Sequence, residues 1–251
     1  MLGGKGRRGE ETKMFKKIVP AVVFGVVYAA LILVGWGLED VGGFFSHLAR
    51  TTLFAVTISA NTLTMLFKDK FNVEFFKKGE KEDPKEKLTG VALPTLIGFL
   101  IMLVAPFLDS HNFLTLNGGD ILRYFGLFLF LVGYIFMIWA PLHLGKQFSG
   151  LVTVQEEHEL ITDGPFRYIR HPRYSGIILW IFGVALIFVS TAALVLAVLM
   201  AVLMLLRIPK EEKMLHEEFG GEWEDYCRRT AKKSFNRPSP CSWRTFPAVN
   251  I

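Results

Sequence analysis

From Tyr174 to Ile208 the chain reads YSGIILWIFGVALIFVSTAALVLAVLMAVLMLLRI, about 35 residues in which only Arg207 is charged. As one helix this run would be ~52 Å long, well beyond a hydrocarbon core of about 30 Å. Ser190-Thr191 lies near its middle. The run therefore predicts a tight helical hairpin with spans at about 174–190 and 192–208. Helices are the structures open to such segments, because backbone polar groups in lipid must be satisfied within the segment itself.

Four further apolar segments occur at about 17–37, 44–67, 90–108 and 121–144. The expected fold is an all-α integral membrane protein of about six transmembrane helices, including the C-terminal hairpin. The basic N-terminus followed by an apolar run imitates a secretory leader. The run from Ile18 to Trp36 is too long for a leader core and lacks a clear small-residue cleavage site, so it reads as a retained first span.

Basic residues set the orientation. All of the 28 lysines and arginines except Arg50 and Arg123 fall in the N-terminal arm, the 68–88 loop, the 145–173 segment or the tail from Arg207 onward. Six spans place these four segments on one side. Five spans would split them. The pattern predicts both termini in the cytoplasm.

The organisation that follows is a cytoplasmic arm (1–16), four transmembrane helices with a charged loop at 68–88 (17–144), a core carrying the chemistry (145–230) and a poorly ordered tail (231–251). The loop KDKFNVEFFKKGEKEDPKEKL reads as a solvated connector, with Phe71, Phe75 and Phe76 able to anchor in the interface. Cys227 and Cys241 have no histidine partner at zinc-ligand spacing. A disulfide between them is not expected of a cytoplasmic tail. A net charge of +5 suits anionic headgroups and gives no nucleic-acid footprint. Neither a metal nor a nucleic acid is expected as a partner.

Polar chemistry collects in two stretches, 145–176 and 207–227, on either side of the 35-residue run. A hairpin brings them together on the cytoplasmic face. In GPFRYIRHPRYSG (164–176), Asp163-Gly164-Pro165 is a turn signal and Pro172 keeps His171 extended. Arg167, Arg170 and Arg173 read either as headgroup-snorkelling side chains or as one wall of a site. Arg207 and Glu211 share a helix face, and Gly220-Gly221 caps that helix.

The pattern H-x-L-I-T-x-G-P-F-x-x-x-R-H-P-x-Y-x-G, followed by R-x-x-x-E-E-x-x-L-x-x-x-F-G-x-x-W-x-x-Y, resembles the isoprenylcysteine carboxyl methyltransferase family, part of a wider group with phospholipid methyltransferases. The resemblance covers about residues 140–230. It implies a multi-pass membrane enzyme that uses S-adenosyl-L-methionine and methylates a lipophilic acceptor arriving from the bilayer, with its active site facing the cytoplasm. By motif, His158, Glu159, Leu160 and Ile161 would line the cofactor, with Phe166 as an aromatic contact. His171, Pro172, Arg173 and Tyr174 would wrap it, and Thr153 is a further position across a gap in the match. Glu211 would bind the cofactor's polar end and Arg207 would face the methyl acceptor, the two forming the catalytic pair. After the last tyrosine the chain reads RRTAKK, where the family often carries prolines.

Three alternatives accompany this reading. A phosphatidylethanolamine N-methyltransferase would need a base to deprotonate its amine. Trp223-Glu224-Asp225-Tyr226-Cys227 resembles an element of the NADPH-dependent sterol reductases, which are longer. A non-catalytic membrane scaffold would leave each charged residue with only a structural role.

Overall fold

The computed structural model describes residues 22–23, 25–67, 88–148 and 159–233. The N-terminal arm, almost all of the 68–88 loop, Thr153, His158 and the tail after Lys233 lie outside them. Among the described residues every regular element is helical. They are α1 (Gly25–Trp36), α2 (Val41–Phe45), α3 (Leu48–Phe67), α4 (Leu93–Ser110), α5 (Gly119–Leu144), α6 (Pro172–Ile187), α7 (Thr191–Phe219) and α8 (Gly221–Lys233).

Among the described residues three helices are long and apolar enough to cross a membrane: Leu88–Ser110, which adds a π-helical turn to α4, together with α5 and α7. A fourth crossing arises if α1 and the helical segment Leu38–Phe45 count as one span bent by 93°. Gly37, at φ +112°, makes that bend. The indole Nε1 of Trp36 donates to the Asp40 carbonyl across it (2.8 Å). α6 is apolar but only 16 residues long. Polar Thr, Ser and Asn are spread through α3. The outer surface is that of an integral membrane protein. Along α7, Val195, Val198, Leu199, Val202, Leu205 and Leu206 are exposed, whereas Ala193, Ala197, Met200 and Met204 are buried. Both faces are apolar, so the outward one suits lipid rather than water.

The hairpin is present. α6 ends at Ile187, and Ser190 caps α7 by accepting a bond from the Ala193 amide (3.2 Å). The connecting loop after α4 clasps this turn: Leu116 donates to the Val189 carbonyl (2.7 Å), and Thr191 donates to that of Leu114 (2.9 Å). The second arm continues past the expected end of the span near residue 208 as one helix to Phe219, where Gly220 caps it at φ +50°, at the expected glycine pair. Its 29 residues span ~44 Å, so its last turns project beyond the hydrocarbon. Pro209 sits inside α7 without ending it.

α5 and α6 meet backbone to backbone. Gly126 and Gly133 on α5 face Gly183 and Gly176 on α6, at matching seven-residue spacing. A Cβ on Gly133 would lie 2.4 Å from the Trp180 amide nitrogen, and one on Gly183 would lie 2.4 Å from that of Phe130. Small residues permit this approach, which gives membrane helices their packing attraction in the absence of a hydrophobic drive. The seam fixes the height of α6 and hence the position of the residues at its start.

At the hairpin end, Arg123 grips Asp109 with two bonds of 2.6 Å and donates to the Ile187 carbonyl (2.7 Å). Arg50 reaches the same carboxylate (3.3 Å) and bonds the carbonyls of Phe44 and Gly43. Its guanidinium also lies 4.4 Å from the Trp36 ring centre. Arg50 and Arg123, the two basic residues outside the cytoplasmic pattern, thus converge on a single buried acid.

Candidate functional site

Chain length alone brings the two polar stretches to one level. His171 and Pro172 lie 19 and 18 residues before the hairpin turn at Ser190, and Arg207 lies 17 after it, so each is roughly 25 Å along its helix. The buried stripe of α7 runs Ala193, Ala197, Met200, Met204 and then Arg207. Glu211 is the next position at that spacing. The helix face that packs in the core therefore carries its arginine and carboxylate directly into the site.

Pro172 is the first residue of α6 and is buried there, with His171 at the N-cap. The ring of His171 stacks on Tyr174, with centres 5.7 Å apart and planes 14° from parallel. The Tyr174 hydroxyl donates to Glu211 Oε2 (2.6 Å). His171 Nδ1 lies 4.0 Å from Glu211 Oε1. The Arg207 guanidinium sits 5.7 Å from the Tyr174 ring centre and donates to the carbonyl of Gly90, in the π-helical turn before α4 (2.9 Å). Arg173 places its guanidinium 4.9 Å from the Phe148 ring centre. Glu211 keeps 29% of its side-chain surface exposed, which leaves this carboxylate open to a ligand.

Two residues with no assigned part in the sequence reading join this group. Glu212 is fully buried, and its Oε1 receives Arg170 Nε and His171 Nε2, both at 3.1 Å. Arg170 is therefore held in an ion pair. Arg167 keeps the snorkelling character: it is exposed, and its guanidinium lies 5.9 Å from the ring centre of the exposed Tyr168.

The other expected cofactor residues occupy a neighbouring layer. Phe166 is buried with Ala140, Trp223, Tyr226 and Cys227, and Leu160 and Ile161 pack against that cluster. Glu159 is exposed. Thr153 and His158 fall outside the described residues. The cluster forms because the Gly164–Arg167 turn tucks Phe166 inward beneath α8. The Tyr226 hydroxyl donates to the Phe166 carbonyl (2.8 Å). Burial pushes the Tyr226 phenol up, which keeps its proton on the donor. Gly164, at φ +54°, lets the chain pass so close to His143 that a Cβ would lie 2.5 Å from the ring. His143 Nε2 meets Asp163 Oδ1 at 2.8 Å, and this imidazole holds the Asp163 carboxyl below the ordinary carboxylate range. The turn is thus pinned from α5 on one side and α8 on the other. Cys227 is disulfide-bonded, against the expectation of free thiols. α8 runs to Lys233, past the expected end of the core at residue 230.

The residues assembled here comprise a partly open carboxylate, two stacked rings, and two arginines close to aromatic faces. Such a set can receive a cationic donor on one side and an anion on the other. Residues 126–217 match the sequence model of the isoprenylcysteine carboxyl methyltransferase family. The protein-S-isoprenylcysteine O-methyltransferase B of Arabidopsis thaliana is 32% identical over 108 residues, covering 42% of this chain and 55% of that protein. The probable protein-S-isoprenylcysteine O-methyltransferase of Oryza sativa subsp. indica is 32% identical over 111 residues, covering 42% and 57%. The protein-S-isoprenylcysteine O-methyltransferase of Schizosaccharomyces pombe is 34% identical over 95 residues, covering 36% and 39%. The matched part of this chain spans about half the length of the plant relatives.

Proposed function

We propose that the chain, whose residues 126–217 match the isoprenylcysteine carboxyl methyltransferase family, is a membrane-embedded methyltransferase that uses S-adenosyl-L-methionine to methylate a lipophilic acceptor. The observation that carries this reading is the meeting of His171, Tyr174, Arg207 and Glu211 where α6 begins and α7 leaves the membrane. The acceptor is the carboxylate of a prenylated cysteine or a close analogue. In this reading the chain makes six crossings with both termini in the cytoplasm. The cofactor enters from the cytoplasm and the acceptor from the bilayer.

The residues present fit such a cofactor. The partly exposed Glu211 carboxylate suits an ammonium or ribose hydroxyls, and charge-assisted bonds of that kind are the strong ones. The stacked rings of His171 and Tyr174 offer aromatic faces to a sulfonium. When bound, the cofactor supplies an activated methyl group on a positively charged sulfur. The acceptor carboxylate is already ionised at neutral pH, so no side chain has to remove a proton. Arg207 presents a planar fork that orients a carboxylate by two parallel hydrogen bonds. Its bond to the Gly90 carbonyl uses Nη1, one of the nitrogens that carry the five guanidinium donors, and supports the turn before α4 as a border of the acceptor side in this reading. Aligning two bound reactants supplies as much as ~7–11 kcal/mol of a barrier in the best cases, so positioning is the protein's main contribution. Thr153 and His158 remain assigned to the cofactor by motif.

The test uses detergent-solubilised protein and methyl-tritiated cofactor, with a farnesylcysteine analogue and phosphatidylethanolamine offered separately. Base-labile label on the farnesylcysteine analogue is the expected result. Label on the phospholipid alone would replace the acceptor assignment with an amine. Label on neither, with folded protein and bound cofactor, would refute both acceptors.

A further inference from the structure

Glu212 differs from its neighbour Glu211 in every respect that matters to a ligand. It is fully buried, and one of its oxygens is already shared by Arg170 and His171. It therefore cannot be the group that a cofactor meets. A buried carboxylate costs several kcal/mol of desolvation unless it is paired and hydrogen-bonded, and Arg170 provides the pairing charge. The bond from His171 has a second consequence. A carboxylate only accepts, so Nε2 must be the nitrogen that donates. In the neutral ring the lone pair is then on Nδ1. Nδ1 lies on the Glu211 side, 4.0 Å from Oε1, too far for a hydrogen bond between them. Two acceptors at that separation are spaced so that one donor group can reach both at about 2.8–3.0 Å. On the other side Tyr174 fixes the remaining oxygen of Glu211 and stacks on the imidazole.

We propose that Glu212 is a positioning residue for the site: anchored by Arg170, it fixes the His171 tautomer so that Nδ1 and Glu211 Oε1 form a two-acceptor cradle for one hydrogen-bond donor group of the ligand, such as an ammonium. Glu212 acts through His171 and touches no reactant. The ligand identity rests on the methyltransferase reading, whereas the tautomer does not.

The experiment uses full-length protein labelled with 15N-histidine, unliganded and then with S-adenosylhomocysteine. A His171→Asn variant identifies the His171 signals by difference, and calorimetry gives the affinity. The wild type is expected to show His171 protonated at Nε2 and bare at Nδ1. Glu212→Gln, whose amide can donate as well as accept, is expected to shift His171 toward the opposite tautomer. It should weaken S-adenosylhomocysteine binding about tenfold or more in the protein that remains folded, and it should lower the melting temperature because Arg170 loses its counter-charge. Glu212→Asp should restore part of both signals. A wild-type His171 protonated at Nδ1 overturns the proposal without any variant of Glu212 having to fold. So does a Glu212→Gln protein with unchanged affinity. Wild-type protein that binds no S-adenosylhomocysteine would refute the methyltransferase reading, while the tautomer measurement would still decide the role of Glu212.

Discussion

The molecule carries a buried arginine–carboxylate cluster at each end, and the two are built to opposite specifications. At the hairpin end, Asp109 has both oxygens engaged by Arg123, one of them also by Arg50, and only 2% of its side chain reaches solvent. The arginines also donate to carbonyls of two other segments, Gly43 and Phe44 in α2 and Ile187 at the end of α6. At the other end, the buried Glu212 is paired through Oε1 with Arg170 and His171, but Glu211 beside it has one oxygen held by Tyr174 and keeps 29% of its side chain exposed. A saturated cluster is a brace. A cluster with an open carboxylate next to a saturated one is a site with its own support. Burial and pairing at the first end serve the fold; at the second, in the proposed reading, they hold a neighbour in place for a ligand.

Substitutions separate the two roles. The largest effect is expected from Asp109→Ala, which leaves two buried guanidiniums without their counter-charge. It should cost about 3–5 kcal/mol of stability, read by denaturation in detergent, while the folded fraction binds S-adenosylhomocysteine as the wild type does. Tyr174→Phe has the reverse signature. It removes a 2.6 Å bond to a charged oxygen, so cofactor affinity should fall about ten- to hundredfold in calorimetry while stability changes little. Gly133→Ala tests whether the α5–α6 seam serves both ends. Its new Cβ meets backbone rather than a movable side chain, so about 1–3 kcal/mol of stability should be lost. Activity per folded molecule should fall too, because α6 carries His171, Pro172 and Tyr174.

The smallest effect concerns Asp163 and is visible through pH. Its folded-state carboxyl titrates below the ordinary value because His143 bonds the ionised form. The stabilisation from Asp163 is therefore complete above about pH 4 and is lost as pH falls through the folded-state value. Asp163→Asn should melt slightly below the wild type at neutral pH, and the gap should close under acid. A gap that widens on acidification would reverse the assigned sign.

Much of this contrast was legible in the sequence, and the missing parts share a physical reason. The hairpin followed from an apolar run too long for one crossing and from the sidedness of the lysines and arginines. The pair Arg207 and Glu211 followed from helical spacing, which puts them on one face; the structure adds that the buried stripe Ala193, Ala197, Met200 and Met204 leads to them. Glu212 carried no such signal. Two adjacent glutamates look alike in one dimension, and only contact with Arg170 and His171 across the hairpin shows which is buried. Arg50 and Arg123 stood out as basic residues on the wrong side, yet their meeting at Asp109 joins positions 59 and 14 residues apart. The glycine seam was present as two matching seven-residue spacings, but apolar runs on both helices hid which face they occupied. Phe166, Leu160 and Ile161, given to the cofactor by motif, pack with Trp223 and Tyr226 because the Gly164 turn directs them beneath α8.

The difference between a brace and a site is most directly tested by calorimetric titration of S-adenosylhomocysteine into purified wild type, Asp109→Asn and Glu211→Gln proteins in one detergent. Saturable binding to the wild type and to the folded Asp109→Asn protein, and its loss in a Glu211→Gln protein that melts like the wild type, is the predicted result. Binding that survives in Glu211→Gln, or that is absent from well-folded wild type, would contradict it.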